Sequence, residues 1–204
     1  MIYLCEIAPN EALAEHLNSE QLERFNGIVA LRRRLEFLTS RLLFASVMAQ
    51  KYHLRVQGDW PPGQPHPSLL VNGAPLYSSL SHSAGFVALA LARSPVAVDL
   101  ELMKPRDYLA LAQTAFSPSR VQAIEKSPER QLDFYRAWCE SECSIKWPKG
   151  ISEQPPHSQV IRLNDQAFML SYRHHRRLGL IHLTFNDIKN SLCKTNVSNA
   201  ITAY

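Results

Sequence analysis

Apolar and polar positions alternate in "MIYLCEI" (1–7), a period of two that predicts a first strand. The period then lengthens. Leu31, Leu35, Leu38, Leu42, Leu43 and Val47 recur mostly three and four residues apart, which predicts helix over 19–52. Ser19 is the expected N-cap, Glu20 and Glu23 favour the first turn, and Gly27 is placed to break the helix in two. "GDWPPGQPHPS" (58–68) holds four of the 13 prolines and predicts a loop. "FVALALA" is apolar without interruption, as in a strand buried on both faces, and "ARSPV" turns it back, so 85–92 and 95–102 read as a hairpin. Helices follow near 107–115, 117–126 and 128–146. The last has Ser127 as cap, Pro128 at its first position, Glu129 in its first turn and "WPKG" as its stop. Strands are expected around 158–163, 167–172 and 179–185, and the polar tail from Lys189 is expected to fray. Strands, helices and strands again predict an α+β fold in two similar-sized halves, 1–102 and 103–204.

With 204 residues and 46% hydrophobic content, the chain carries enough apolar surface for a sizeable core, which excludes wholesale disorder. The net charge of +4 is mild. Its distribution says more: Arg32, Arg33, Arg34 and Arg41 share one helical segment, and Arg173, His174, His175, Arg176 and Arg177 form a run. Such clusters are solvated faces or anion sites. The low net charge and the lack of an aromatic platform set nucleic acid aside. Cys5, Cys139, Cys143 and Cys193 have no zinc-like spacing and read as reduced thiols. No run of 18 apolar residues and no leader pattern occurs, so a soluble, cytoplasmic protein with no membrane partner is expected. Asn196-Val197-Ser198 is a glycosylation acceptor pattern that means nothing without secretion.

Chemistry enters with "SPVAVDLELMKP" (94–105). Val96, Val98 and Leu100 fall on one face of a strand, and Ala97, Asp99 and Glu101 on the other. Two carboxylates at i and i+2 suit either a wet strand face or one hard divalent cation, and the second reading needs a third ligand. On the 128–146 helix, Phe134, Trp138, Glu142 and Lys146 lie four apart on one stripe. Glu142 and Lys146 there form either a surface Glu–Lys pair or part of that site.

"SLSHS" (79–83), "AVDLE" (97–101) and "WCESECSIK" (138–146) occur in this order, with Lys104-Pro105 after the acidic strand, Phe116-Ser117, and an "SR-LL" segment at Arg41. Over roughly 20–150 the chain resembles the 4′-phosphopantetheinyl transferases of the larger, surfactin-synthetase-associated type. The resemblance implies two α+β halves related by a pseudo-two-fold, with coenzyme A in the cleft between them. It implies transfer of the phosphopantetheine arm to a serine of an acyl or peptidyl carrier protein, with magnesium required and 3′,5′-ADP released, by a monomer. Asp99, Glu101 and Glu142 would be the metal ligands. Glu142 would be the base toward the serine, and Lys146 would stabilise charge on the phosphate. Ser81 and His82 would face the pyrophosphate region, Lys104 would be a further coenzyme A-binding residue, and Arg41 would pair with the 3′-phosphate, helped by one of Arg24, Arg32, Arg33 or Arg34.

The pattern has departures. Ser141 and Ala74 stand where the family has lysines, Ala97 where it has glycine, and Arg120 where an acid is usual. Losing two charge-assisted contacts weakens affinity about a hundredfold. A weakened relative that binds coenzyme A or a carrier protein without efficient transfer is therefore the alternative.

Overall fold

Two sheets packed face to face, with helices on both outer sides, organise the chain in a computed structural model that describes residues 1–57, 69–194 and 200–202. In chain order the strands are β1 (Ile2–Glu6), β2 (Arg55–Gln57), β3 (Leu69–Val71), β4 (Ala74–Ser83), β5 (Phe86–Ala92), β6 (Ala97–Leu102), β7 (Pro156–Leu163), β8 (Gln166–Arg173), β9 (Leu180–Leu183) and β10 (Ala200–Thr202). The helices are α1 (Ser19–Gly27), α2 (Leu31–Tyr52), α3 (Tyr108–Ala115), α4 (Pro118–Lys126), α5 (Arg130–Ile145) and α6 (Phe185–Lys194). The fold is α+β.

The larger sheet runs β3-β4-β5-β1-β9, the smaller β6-β8-β7, and β2 pairs with β10. Alternation along each strand feeds two cores. Tyr3, Cys5, Val87, Leu89 and Leu91 pack under α2 with Leu42, Leu43 and Val47. Ile2, Leu4, Phe86, Ala88 and Ala90 face the second sheet, where Val98, Leu100, Phe168 and Leu170 meet them. That double duty explains why β5 is apolar at every position. Each fully buried leucine or phenylalanine contributes about 1.5–3 kcal/mol. On the far side of the smaller sheet, α5 packs Phe134, Tyr135 and Cys139 against Met169.

Turn geometry corrects the expected hairpin. Ala84 and Gly85 both have positive φ, and they close β4 onto β5. Such a left-handed pair matches the strand twist, as it does at Asn72-Gly73 between β3 and β4. Ser94-Pro95 has no such pair, and the chain there crosses to the other sheet, where β6 pairs antiparallel with β8. Each sheet draws on both ends of the chain: β6 joins β7 and β8, and β9 lies parallel to β1.

Three local expectations also shift. Asn18, not Ser19, caps α1, because its side chain accepts from Gln21 N–H while the Gln21 side chain accepts from Asn18 N–H. α5 begins at Arg130 rather than Pro128. Ser127 Oγ accepts from Glu129 N–H and donates to Asp133, so it pins the turn between α4 and α5. The tail expected to fray from Lys189 is helical to Lys194, because Ile188 and Leu192 pack into the α2 core. Gly27 does end α1, as the sequence predicts. The proline-rich 58–68 segment and the Asn196–Ser198 pattern lie outside the described residues.

Cys5, Cys139 and Cys143 are free and buried. Burial pushes all three thiols up, Cys5 to about 12, which keeps them protonated and unreactive at neutral pH. The Cys193 side chain lies outside the described residues. No helix among the described residues is long and apolar enough to cross a membrane.

Candidate active site

The seam between the two sheets is built by serines. Ser79, Ser81 and Ser83 of β4 share a face, and their hydroxyls accept from the N–H groups of Val98 (3.0 Å), Leu100 (3.2 Å) and Leu102 (3.0 Å) of β6. Side chains thus satisfy an edge that has no backbone partner on that side. Two of these serines also aim acids: Ser81 Oγ donates to Asp99 Oδ1 at 2.8 Å, and Ser83 Oγ donates to Glu101 Oε2 at 3.1 Å. The buried Ser81 hydroxyl donates to Asp99 while it accepts from Leu100, so it orients the acid.

The face of β6 that carries Asp99 and Glu101 meets α5. The α5 stripe divides in function. Phe134 and Trp138 stack with ring centroids 5.9 Å apart, and two turns further on Lys146 reaches the strand, while Glu142 between them acts on Glu101 by charge, as the weakest of the influences on it. Lys146 Nζ donates to Asp99 Oδ1 at 2.8 Å and to Val98 O at 3.1 Å. Asp99 is 3% exposed, and its Oδ2 is buried with no hydrogen-bond partner among the described residues. The Glu101 carboxyl is pushed above its usual range by burial, then by the Asp99 charge and, more weakly, the Glu142 charge; the Ser83 hydrogen bond and Arg106 oppose this.

Among the described residues no three His, Cys, Asp or Glu side chains converge as a metal-ligating group. The chemistry of the donor set nonetheless suits a hard cation. Among the described residues Asp99 Oδ2 has no hydrogen-bond donor, and Glu101 is raised by burial and then by the neighbouring carboxylates, a repulsion that a divalent ion relieves.

Beside the acids opens a cleft of ≈ 480 Å³. One wall carries Arg32, Arg33, Glu36 and His82, and the other carries Glu101, Lys104 and Arg106. The buried Glu36 carboxylate accepts from Arg32 at 2.9 Å and Arg33 at 3.1 Å. Arg33 also lies 3.4 Å from His82 Nε2. Burial lowers the His82 pKa, against the pull of Glu36 and with help from Arg33 and Lys146. A neutral ring with Nε2 accepting from Arg33 and Nδ1–H toward Glu36 (3.7 Å) fits all of these contacts.

Arg41 lies elsewhere. It stacks on Phe37 at 4.1 Å and lines a separate cavity with His16, Gln21 and Leu54, because it lies eight residues, about 12 Å by helix rise, further along α2 than Arg33. Arg34 turns to Glu11 at 2.9 Å and Arg24 to the Phe37 ring, which leaves Arg32 and Arg33 as the α2 arginines of the cleft. Sequence reasoning missed Glu36, Ser83 and Arg106. Glu36 follows Arg32 and Arg33 at helical ion-pair spacing, Ser83 repeats the Ser81 position two residues on, and Arg106 directly follows Lys104-Pro105.

No family model matches the chain. The chain is 34% identical over 126 residues to the 4′-phosphopantetheinyl transferase AcpT of Salmonella typhi, a match covering 60% of this chain and 62% of the relative. A 4′-phosphopantetheinyl transferase of Bacillus subtilis is 34% identical over 95 residues, 45% of this chain and 42% of the relative. The likeness is to 4′-phosphopantetheinyl transferases. The transferase psf-1 of Bacillus pumilus is a further relative, 30% identical over 134 residues, 64% of this chain and 56% of its own length. The chain thus spans between about four and six tenths of the phosphopantetheinyl transferases it matches.

The departures from the phosphopantetheinyl transferase pattern have structural places. Ala97 is fully buried against Cys143 and Trp147, so its methyl fills the strand–helix contact. Arg120 pairs with Glu140 at 2.8 Å. Ala74 opens β4, eight residues and roughly 27 Å by strand rise from His82. Its carbonyl accepts from Arg93 at 3.0 Å.

Proposed function

We propose that this chain transfers the 4′-phosphopantetheine arm of coenzyme A to a serine of an apo acyl or peptidyl carrier protein, with magnesium bound, and releases 3′,5′-ADP. The observation that carries the reading is Asp99: a buried carboxylate whose Oδ2 has no hydrogen-bond partner among the described residues, paired with Lys146 and two residues from Glu101, which itself lines a cleft with four cationic side chains. The likeness to phosphopantetheinyl transferases supports it.

Asp99, Glu101 and Glu142 would hold the ion, which when bound offsets charge at the phosphates. Glu142 takes the proton of the incoming serine hydroxyl, directly or through water. The serine oxygen bonds to the phosphorus bearing the pantetheine arm, the anhydride P–O bond breaks, and 3′,5′-ADP departs with that electron pair. Lys146 would stabilise charge on the transferring phosphate. Arg33, His82 and Lys104 hold phosphate oxygens along the cleft, and Arg32 and Arg33 take the place the resemblance gave to Arg41. The reaction is assigned to a cytoplasmic monomer, with a carrier protein docking beside the cleft.

The test is intact-mass spectrometry of a panel of apo-carrier proteins incubated with this protein, magnesium and coenzyme A. One carrier gains the mass of the arm, and Glu142→Gln abolishes the gain while the circular dichroism spectrum is unchanged. An active Glu142→Gln variant removes Glu142 from its role. One observation favours a second reading, a weakened relative that binds without efficient transfer: Lys146 is held by Asp99 and the Val98 carbonyl. Calorimetric binding of coenzyme A with no mass gain on any carrier would select it.

A further inference from the structure

We propose that Arg106 is a phosphate-binding residue at the acidic end of the cleft, presented there by Tyr135; the inference rests on the transfer reading above. Lys104, Pro105 and Arg106 follow β6 directly and carry two cations past Glu101. Tyr135, buried on α5, pins this turn from below. Its hydroxyl donates to Lys104 O at 3.0 Å and accepts from Lys104 N–H at 3.1 Å. Its ring stacks under the Arg106 guanidinium, 5.4 Å from the centroid. Tyr108 braces that ring edge-on at 6.2 Å. The turn is fixed at both its backbone and its side chain.

Arg106 is not held in a direct ion pair by any described residue. Across the cleft, Arg32 and Arg33 share Glu36, but Arg106 makes no ion pair or hydrogen bond to any described residue, and its Nε is buried with no partner. The nearby acid, Glu101, accepts from Ser83 instead. A guanidinium nitrogen withdrawn from water without an acceptor is costly, and a planar fork of donors suits an oxyanion with several oxygens. Phosphate is the oxyanion that fits the place. A polyphosphate donor must approach Asp99, Glu101 and Glu142, which repel it. Arg106 and Lys104 stand on the same rim and oppose that repulsion. Arg106 thereby supplies charge that Ser141 and Ala74 do not.

Calorimetry with inorganic pyrophosphate and with 3′,5′-ADP as probes, at low salt, tests this on the full chain. Arg106→Gln is expected to weaken pyrophosphate binding about tenfold to a hundredfold. Arg106→Lys recovers part of the loss, because an ammonium keeps the charge and lacks the fork. Both variants should melt within a few degrees of the parent protein. In the transfer assay Arg106→Gln raises KM for coenzyme A more than it lowers kcat. Unchanged pyrophosphate affinity in Arg106→Gln overturns the proposal, as does a parent protein that binds neither probe. If Arg106-dependent pyrophosphate binding is found but no carrier is modified, the assignment of Arg106 stands and the transfer reading falls. If a carrier is modified with the same KM in Arg106→Gln, the reverse holds.

Discussion

Lys146 Nζ and Asp99 Oδ1 lie 2.8 Å apart, joining the end of α5 to the middle of β6 across 47 residues of chain. Asp99 is buried, and Lys146 is about a quarter exposed, so this pair is shielded on the acid side and reachable on the lysine side.

Removing the lysine alone leaves a buried carboxylate without its cation. Lys146→Met is expected to destabilise the fold by about 3 kcal/mol, near the lower end for breaking a buried pair because the lysine is partly solvated. The double variant Lys146→Met/Asp99→Asn should recover much of this. Urea denaturation of the four proteins of the cycle measures the coupling. Additive losses would show that the contact contributes nothing to stability.

The serine seam predicts a position-dependent cost. Ser81→Ala leaves the buried Leu100 N–H without an acceptor and removes the donor to Asp99, for a loss of about 1–3 kcal/mol. Ser83→Ala breaks the equivalent pair of bonds at a partly solvated site and should cost less. Chemical denaturation of the two variants gives the order. A larger loss at Ser83 would contradict the burial argument.

Glu101 is predicted to trade stability for function. Its folded pKa lies above the unfolded value, so the carboxyl favours folding only while protonated, and this contribution is lost as pH rises through the folded pKa. Glu101→Gln should therefore raise the melting temperature by a few degrees at pH 8 without divalent ions, and the gain should vanish near pH 4. The same variant should lose carrier modification. Thermal melts across pH, with no gain at pH 8, would contradict the assignment.

Magnesium should reverse that penalty. A ligand that binds only the folded chain stabilises it by about 2.7 kcal/mol at a hundredfold excess over its Kd. That corresponds to an upward shift of roughly 5–11 °C for a chain of this size. Asp99→Asn should abolish the shift. An equal magnesium response in Asp99→Asn would place the ion elsewhere.

His82 sets the acid limit of the cleft. Its folded pKa is below the free value near 6.5, so the unfolded chain takes up its proton first, and stability falls as pH drops below about 6.5. His82→Gln should flatten the pH dependence of melting between pH 7 and pH 5. An unchanged slope would show that another group governs this range.

The sequence by itself determined the elements and the chemistry each could carry. The alternation of β1, the apolar run of β5, the acid pair at Asp99 and Glu101 and the stripe from Phe134 to Lys146 are local patterns, set by the two-residue repeat of strands and the 3.6-residue turn of helices. Asn18 rather than Ser19 caps α1, and α5 is one or two residues shorter at each end than the pattern predicts, because nearby polar side chains compete for the same N–H groups. Only the tertiary structure decided which strands meet, since pairing β6 with β8 instead of β5 depends on a left-handed turn at Ala84-Gly85 and on contacts some 70 residues apart. It likewise decided that Arg33 and not Arg41 shares a cleft with His82, and that Arg106 Nε is buried with no hydrogen-bond partner among the described residues. A charge's partners and solvation are set by what the rest of the chain packs around it, and no local repeat encodes that.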